Sequence, residues 1–512
     1  MQLFVMAVIV LSLSLITKLD AVLEQSFSGR EQILSWANGA YAWLKSQSCA
    51  EPVFADEKTC LDVTGRPKAE VRLYAAGPNS NGPLTAVFPD GEARHAGSHD
   101  AILVLDPYPN LRFGHFVLMF FVDFNTPNDK CAQENGTHFD NGDCLYLAKK
   151  HKCNNRNRQS LRRRMSHSNH NCELMYLPLV HVASEPAHQN QDLLECQSNM
   201  TGFEPSCPGL RARSLTNHMQ CDPLLLNTNK CDTTSYVRTR CPFMQTCDHA
   251  VLLSGGWNRQ LGDEGSLRNI FKMNDMLRKN GFLESNIKIF FANGMNHDEM
   301  EGLDVTVYSS ALKLALRYHL RTVCETEYCA DSLVIYLHSP ARPDGASLLW
   351  DSDGNGKYDE TETYTVREFL RDIQGCSARR VVVVADQSFS AELVSAATQH
   401  LTSLNNVVIV AANSPSRRDQ LTHHFAHSTH EHTCLHQLIK GSRHAFNESD
   451  HSVYVGRQSG LLNTTLMGAP CHLNPPPSAL EMSQKYRGCQ NLSTRDLIVG
   501  THDEYTTEPP DS

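Results

Sequence analysis

Twelve consecutive residues, Asp351-Ser352-Asp353-Gly354-Asn355-Gly356-Lys357-Tyr358-Asp359-Glu360-Thr361-Glu362, put an oxygen donor at every position that an EF-hand loop requires. Asp351, Asp353 and Asn355 offer side-chain oxygens, and Lys357 offers its carbonyl. Asp359 supplies a direct or water-mediated contact and Glu362 a bidentate carboxylate, while Gly356 permits the sharp turn. Ligation by oxygen alone suits a hard cation, so Ca2+ is the expected ion. The plain alternative is an acidic turn between a strand and a helix. The segment ahead of Asp351 is too short for an entering helix and no second loop of this kind follows, so the expectation is a single loop-plus-helix site. Extracellular calcium is abundant enough for a weak site to fill, which favours a structural role over a sensing one.

Two further residue types could do chemistry. His338 ends one apolar run, and Ser388 follows another within Asp386-Gln387-Ser388-Phe389-Ser390-Ala391. A serine nucleophile needs a base within hydrogen-bond reach and a third group to orient that base. The alternative readings are a strand-end histidine bonded to backbone and a serine that caps the following helix. Further on, His423, His424, His427, His430, His432 and His436 crowd together, and a helix would bring His423, His427 and His430 to one side. Without an H-E-x-x-H order this reads as a solvated histidine-rich segment, with zinc or copper as the alternative.

The elements that must position these groups begin at residue 246. Ala250 to Leu253 runs into Gly255-Gly256, and Leu267, Ile270, Phe271 and Leu277 share a helical face that ends at Asn280-Gly281. Apolar strands follow at Ile287 to Phe291, Leu333 to Leu337, Val381 to Ala385 and Val407 to Ala411. Helical segments around Ser310 to Val323, Val366 to Ile373 and Ala391 to Leu401 separate the later ones. Alternating strands and helices predict a mostly parallel sheet with helices on both faces, whose working groups sit at the carboxyl ends of the strands.

The strand-end His338 and the strand-end Asp386 to Ala391 carry a resemblance to the legumain and caspase type of cysteine peptidase over roughly 170 of the 512 residues. Lys279-Asn280-Gly281 and Ala411-Ala412-Asn413 also resemble legumain. The resemblance implies a caspase-like fold, a dyad at His338 and Ser388, and an acidic substrate-pocket residue at Asp386. The chain departs from that pattern: Ser388 stands where the family has cysteine, Ser339-Pro340 where it has glycine, and Ser390-Ala391 where it has Ser-Gly. Legumain's basic pocket residue falls on Gly265. These departures predict an inactive peptidase homologue that acts as a binding or scaffold protein; the alternative is a hydrolase using Ser388 and His338.

A 15-residue apolar run from Leu3 to Thr17 predicts a signal peptide over residues 1–21 and no stable membrane anchor, hence a secreted, extracellular chain. The 18 cysteines, twelve of them between Cys49 and Cys247, suit an oxidising compartment. Sequons at Asn135, Asn199, Asn447, Asn463 and Asn491 predict glycosylated, exposed loops. Strands at Val71 to Tyr74, Ala101 to Leu105 and Phe116 to Val122, with a helix from Arg30 to Lys45 presenting Ile33, Leu34, Ala37 and Tyr41, predict a β-rich, disulfide-braced domain over residues 22–245. The α/β domain is expected over 246–420, a His-rich region over 421–500 and a disordered tail over 501–512. A net charge of −10 gives no reason for a nucleic-acid partner, and the basic cluster Arg156 to Arg164 reads as a solvated loop. The expected partner is a protein or peptide that the sequence does not specify.

Overall fold

The computed structural model describes residues 29–79, 81–89, 97–109, 115–148, 174–185, 192–210, 237–258, 260–261, 264–294, 305–399, 403–412, 420–428, 432–445, 451–473 and 475–492. The expected signal peptide, the Arg156 to Arg164 cluster, Asn447, His430 and the 501–512 tail lie outside these residues. The chain forms two compact units, one of residues 1–109 with 116–208 and one of residues 110–115 with 209–512.

The first unit carries strands β1 (Arg72–Ala76), β2 (Leu84–Val87), β3 (Ala101–Asp106), β4 (Leu118–Asp123), β5 (Thr137–His138), β6 (Cys144–Leu147), β7 (Leu179–Val182) and β8 (Glu195–Cys196). Six form an antiparallel sheet in the order β5-β6-β4-β3-β1-β8, and β2 pairs with β7. A helix over residues 29–45 lays Trp36, Ala37, Ala40 and Leu44 on one sheet face against Leu73, Leu103, Leu105 and Phe120, with Ile33, Leu34 and Tyr41 at the margin. The helical stripe read from the sequence is therefore on the packed side, although its fully buried members are Trp36, Ala40 and Leu44 as well as Ala37.

The second unit carries β9 (Gln245–Ser254), β10 (Ile287–Phe291), β11 (Val307–Tyr308), β12 (Ala330–Leu337), the short hairpin β13 (Ser347–Leu348) and β14 (Thr363–Tyr364), β15 (Arg380–Ala385), β16 (Val407–Ala412), β17 (His451–Val455) and β18 (Cys489–Asn491). The main sheet runs β11-β10-β9-β12-β15-β16-β17, with β18 on β9; β9, β10, β11, β12, β15 and β16 are parallel, and β17 and β18 run antiparallel. Val251, Leu253, Leu333, Ile335, Val381 and Val383 face one side, and Ala250, Leu252, Val334, Tyr336, Val382 and Val384 the other. That alternation demands helices on both faces. They are Lys313–Glu325, Val366–Asp372 and Ala391–Gln399 on the first side, and Glu264–Lys279, Gln420–His427, Leu435–Ala445 and Ala479–Lys485 on the second. Mixed α/β architecture with a mostly parallel sheet is thus the fold of this unit.

Its bounds are wider than residues 246–420. Val237 is in the core, and residues expected as a separate His-rich region supply β17, β18 and three helices. Those later strands lack the long apolar runs of the parallel ones because they are mostly not buried, whereas β15 and β16 are buried throughout.

Fourteen described cysteines form seven disulfides and none of those described is free. Cys247–Cys489 joins β9 to β18 across 242 residues. Loop-closure entropy in the unfolded chain makes such a long bridge stabilising by about 2–4 kcal/mol. Replacing both cysteines with serine should lower the denaturant midpoint accordingly; an unchanged midpoint would contradict the role assigned to this bridge.

Candidate functional site

The chain passes from β9 to β10 on one side and returns to β12 on the other, so the carboxyl ends of β9 and β12 flank a topological switch point. Gly255 and Gly256 follow β9, His338 and Ser339 follow β12, and Asp386 to Ser390 follow β15. The sequence-assigned dyad and the acidic loop both belong to this edge.

A run of backbone pairs fastens residues 348–351 to it. Gly256 N and Trp257 N donate to Leu349 O at 2.8 and 3.1 Å, and Asp351 N donates to Trp257 O at 2.9 Å. A Cβ on Gly255 would stand 1.8 Å from the Leu348 carbonyl oxygen, so only glycine permits this approach. The β13–β14 hairpin then closes the base of the acidic loop, and Leu349 N donates to Glu362 O at 2.9 Å.

Within the loop, carboxylate oxygens of Asp351, Asp353 and Glu362 lie within 4.8 Å of one another, the one such group found among the described residues. Asp351 accepts from Asn355 N and Gly356 N, and Glu362 from Ser352 N and Asp359 N. Lys357 N donates to Asn355 Oδ1, and Asp359 accepts from Thr361 N and Glu362 N, which folds the loop on itself in short Asx-type turns. Gly354 and Gly356 take the left-handed conformation, with φ of 67° and 72°. Burial pushes the carboxyls of both Asp351 and Glu362 well above the usual range, and the proximity of the acidic groups adds to the effect. Hard oxygen donors that resist ionising alone are a fitting set for a divalent cation, and Asp351, Asp353 and Glu362 are the residues that would hold it, with Asn355, Lys357 and Asp359 around them.

Behind the loop the helix Val366–Asp372 starts at Thr365, whose hydroxyl and the Glu368 carboxylate form a capping box. Arg317 and Arg321 from the helix Lys313–Glu325 both bond the Asp372 carboxylate, which also accepts from Tyr364, and Lys313 Nζ donates to Glu360 O. The loop is therefore clamped from both ends.

The two residues assigned to the dyad lie at the ends of β12 and β15. His338 is buried, with Nδ1 2.8 Å from the Asp386 carbonyl oxygen. A carbonyl only accepts, so Nδ1 carries the proton and Nε2 presents its lone pair to the Asn269 amide, 3.4 Å away. Ser339 N donates to Gln387 Oε1 at 3.3 Å, and Ser347 Oγ reaches the same oxygen at 3.1 Å. Ser339 Oγ in turn accepts from Gly255 N. The Asp386 carboxylate, 1% exposed, accepts from Thr422 N and from the Thr422 hydroxyl, so it secures the first turn of the helix Gln420–His427. Ser388 is half-buried in the turn before the helix Ala391–Gln399.

In the histidine-rich segment, His423 and His427 stack with ring centroids 4.0 Å apart on an exposed helix face, whereas His424 bonds the Leu438 carbonyl. His432 and His436 are exposed elsewhere, and the set does not converge among the described residues. Four sequon asparagines, Asn135, Asn199, Asn463 and Asn491, are exposed.

Sequence reasoning missed Gln387, Asn269 and Thr422, which decide what His338, Ser339 and Asp386 can do. The available signal was Gln387 itself, a long amide two residues past the apolar strand Arg380–Ala385. Compared with known proteins, the chain matches no family model and no curated protein sequence.

A carboxyl whose pKa is raised on folding contributes stability below its unfolded pKa and loses that contribution as pH rises through the folded one. In the absence of divalent cation, the folded protein should therefore weaken as pH climbs above the ordinary carboxyl range. Asp351→Asn should relieve this by about 1–2 kcal/mol at pH 8 in a chelator. Melting curves against pH check it, and equal slopes for the two proteins would count against the repulsion described.

Proposed function

We propose that this is a secreted, calcium-stabilised glycoprotein whose α/β unit has the shape of a legumain or caspase type peptidase and acts as a non-catalytic binding or scaffold module for a protein or peptide partner. The observation that carries the reading is the internal use of the groups a peptidase would spend on substrate. The Ser339 amide, where the family aims a donor at the oxyanion, is bonded to Gln387, and the His338 ring is held between Asp386 and Asn269. An amide already bonded to a buried side chain stabilises no developing charge.

Three features support the remaining parts. Disulfides in both units and exposed sequons favour an exported, glycosylated chain. No described helix is long and apolar enough to cross a membrane. The convergence of Asp351, Asp353 and Glu362 supports one Ca2+ per chain. The ion would neutralise the loop's carboxylates and so hold residues 349–351 and 362 in place.

One observation favours the second reading, a hydrolase. Phe389, directly after Ser388, takes a left-handed φ of 57°, a strained conformation of the kind that accumulates at working turns. Two measurements on the secreted full chain separate the readings. Calorimetry should give one calcium per wild-type chain with a rise in melting temperature, and neither for Asp351→Ala with Glu362→Ala. Hydrolysis of a mixed peptide library should not exceed that of Ser388→Ala; turnover lost on that substitution would establish the hydrolase instead.

A further inference from the structure

Away from the strand-end edge, the sheet buries two histidines that neither the loop nor the dyad uses. His249 on β9 and His319 on the helix Lys313–Glu325 are 1% and 0% exposed, on the sheet face formed by Val251, Leu253, Leu316 and Leu320. His319 Nδ1 lies 2.6 Å from Thr239 Oγ1, and His249 Nε2 lies 3.7 Å from Cys329 Sγ of the Cys241–Cys329 bridge. The other nitrogen of each ring, His249 Nδ1 and His319 Nε2, has no hydrogen-bond partner. In an apolar layer each of these atoms carries a desolvation cost that a hydrogen bond does not offset.

The charged groups that reach the pair have the wrong sign to help a proton on. Lys288 on β10 acts on both rings and His249 disfavours charge on His319, while Arg240, from the segment leading into β9, acts on Lys288; only the Cys329 backbone, bonded to His249, pulls the other way. Asp248, the neighbour of His249, belongs to the opposite sheet face by strand alternation and is bonded to the Gly488 amide. On the helix, Arg317 and Arg321 are directed to Asp372.

We infer that His249 and His319 form an acid-sensitive latch: neutral, they let the helix Lys313–Glu325 pack on β9 and β10, and that packing weakens on acidification because it is compatible only with the neutral rings. Burial pushes the two imidazoles down to about 4 and about 3, from an ordinary 6.5. Groups of depressed pKa hold fewer protons folded than unfolded, so stability is full above pH 6.5 and falls on acidification. The same helix carries the arginines that clamp the helix behind the acidic loop, which gives the latch a route to the strand-end edge.

The test is denaturant unfolding of the full chain at pH 7.5 and 5.0 in a chelator, for wild type, His249→Leu and His319→Leu. In chelator the loop carboxylates titrate in the opposite direction. His451, also pushed down by burial to about 4, would act equally in all three proteins. Acidification to pH 5 should raise the unfolded-to-folded ratio by roughly 30-fold per latch histidine, so each variant should lose about that factor from the wild-type response. Variants that fold and keep the whole wild-type response overturn the inference. Should a leucine variant fail to fold, hydrogen exchange of the wild type decides: corrected for intrinsic rates, amides of 313–325 and 245–254 should lose protection at pH 5, and unchanged protection there overturns it.

Discussion

Leu348 brings its carbonyl so close to Gly255 that no side chain fits between them, and the candidate site depends on this contact. It lets the chain continue from β13 across the ends of β9 and β12 as a short parallel pairing of Trp257 with Trp350. Asp351 then emerges at a fixed place, its amide held by Trp257 and its carboxylate turned into the loop. An alanine at 255 would displace backbone and not merely a side chain, because both partners in the contact are main-chain atoms.

From that contact the acidic loop and the strand-end histidine become parts of one assembly. Gly255 N donates to Ser339 Oγ, Ser339 N to Gln387, and Gln387 receives Ser347 from the foot of the hairpin. The bonds form a continuous chain of buried polar groups, 1–3% exposed at Ser339, Ser347 and Gln387. Breaking one member of such a buried chain leaves its neighbours unpaired.

Much of this was legible in the sequence. The parallel strands were, because strands buried on both faces read as continuous apolar runs such as Val381 to Ala385. The convergence of Asp351, Asp353 and Glu362 was, because all three sit within twelve residues. What escaped was long-range: β17 and β18 have little apolar signal, Thr422 meets Asp386 across 36 residues, and Asn269 meets His338 across 69. His249 and His319 were visible as polar breaks in an apolar strand and an apolar helix face. Nothing local, however, shows that the two lie on the same side of the sheet.

The central claim, that the acidic loop and the strand-end edge behave as one calcium-organised unit, is tested most directly by hydrogen exchange of the full chain with and without Ca2+. The account predicts that calcium protects residues 349–362 and, together with them, 255–258 and 338–339. Protection confined to the loop, or none in either place, would contradict it.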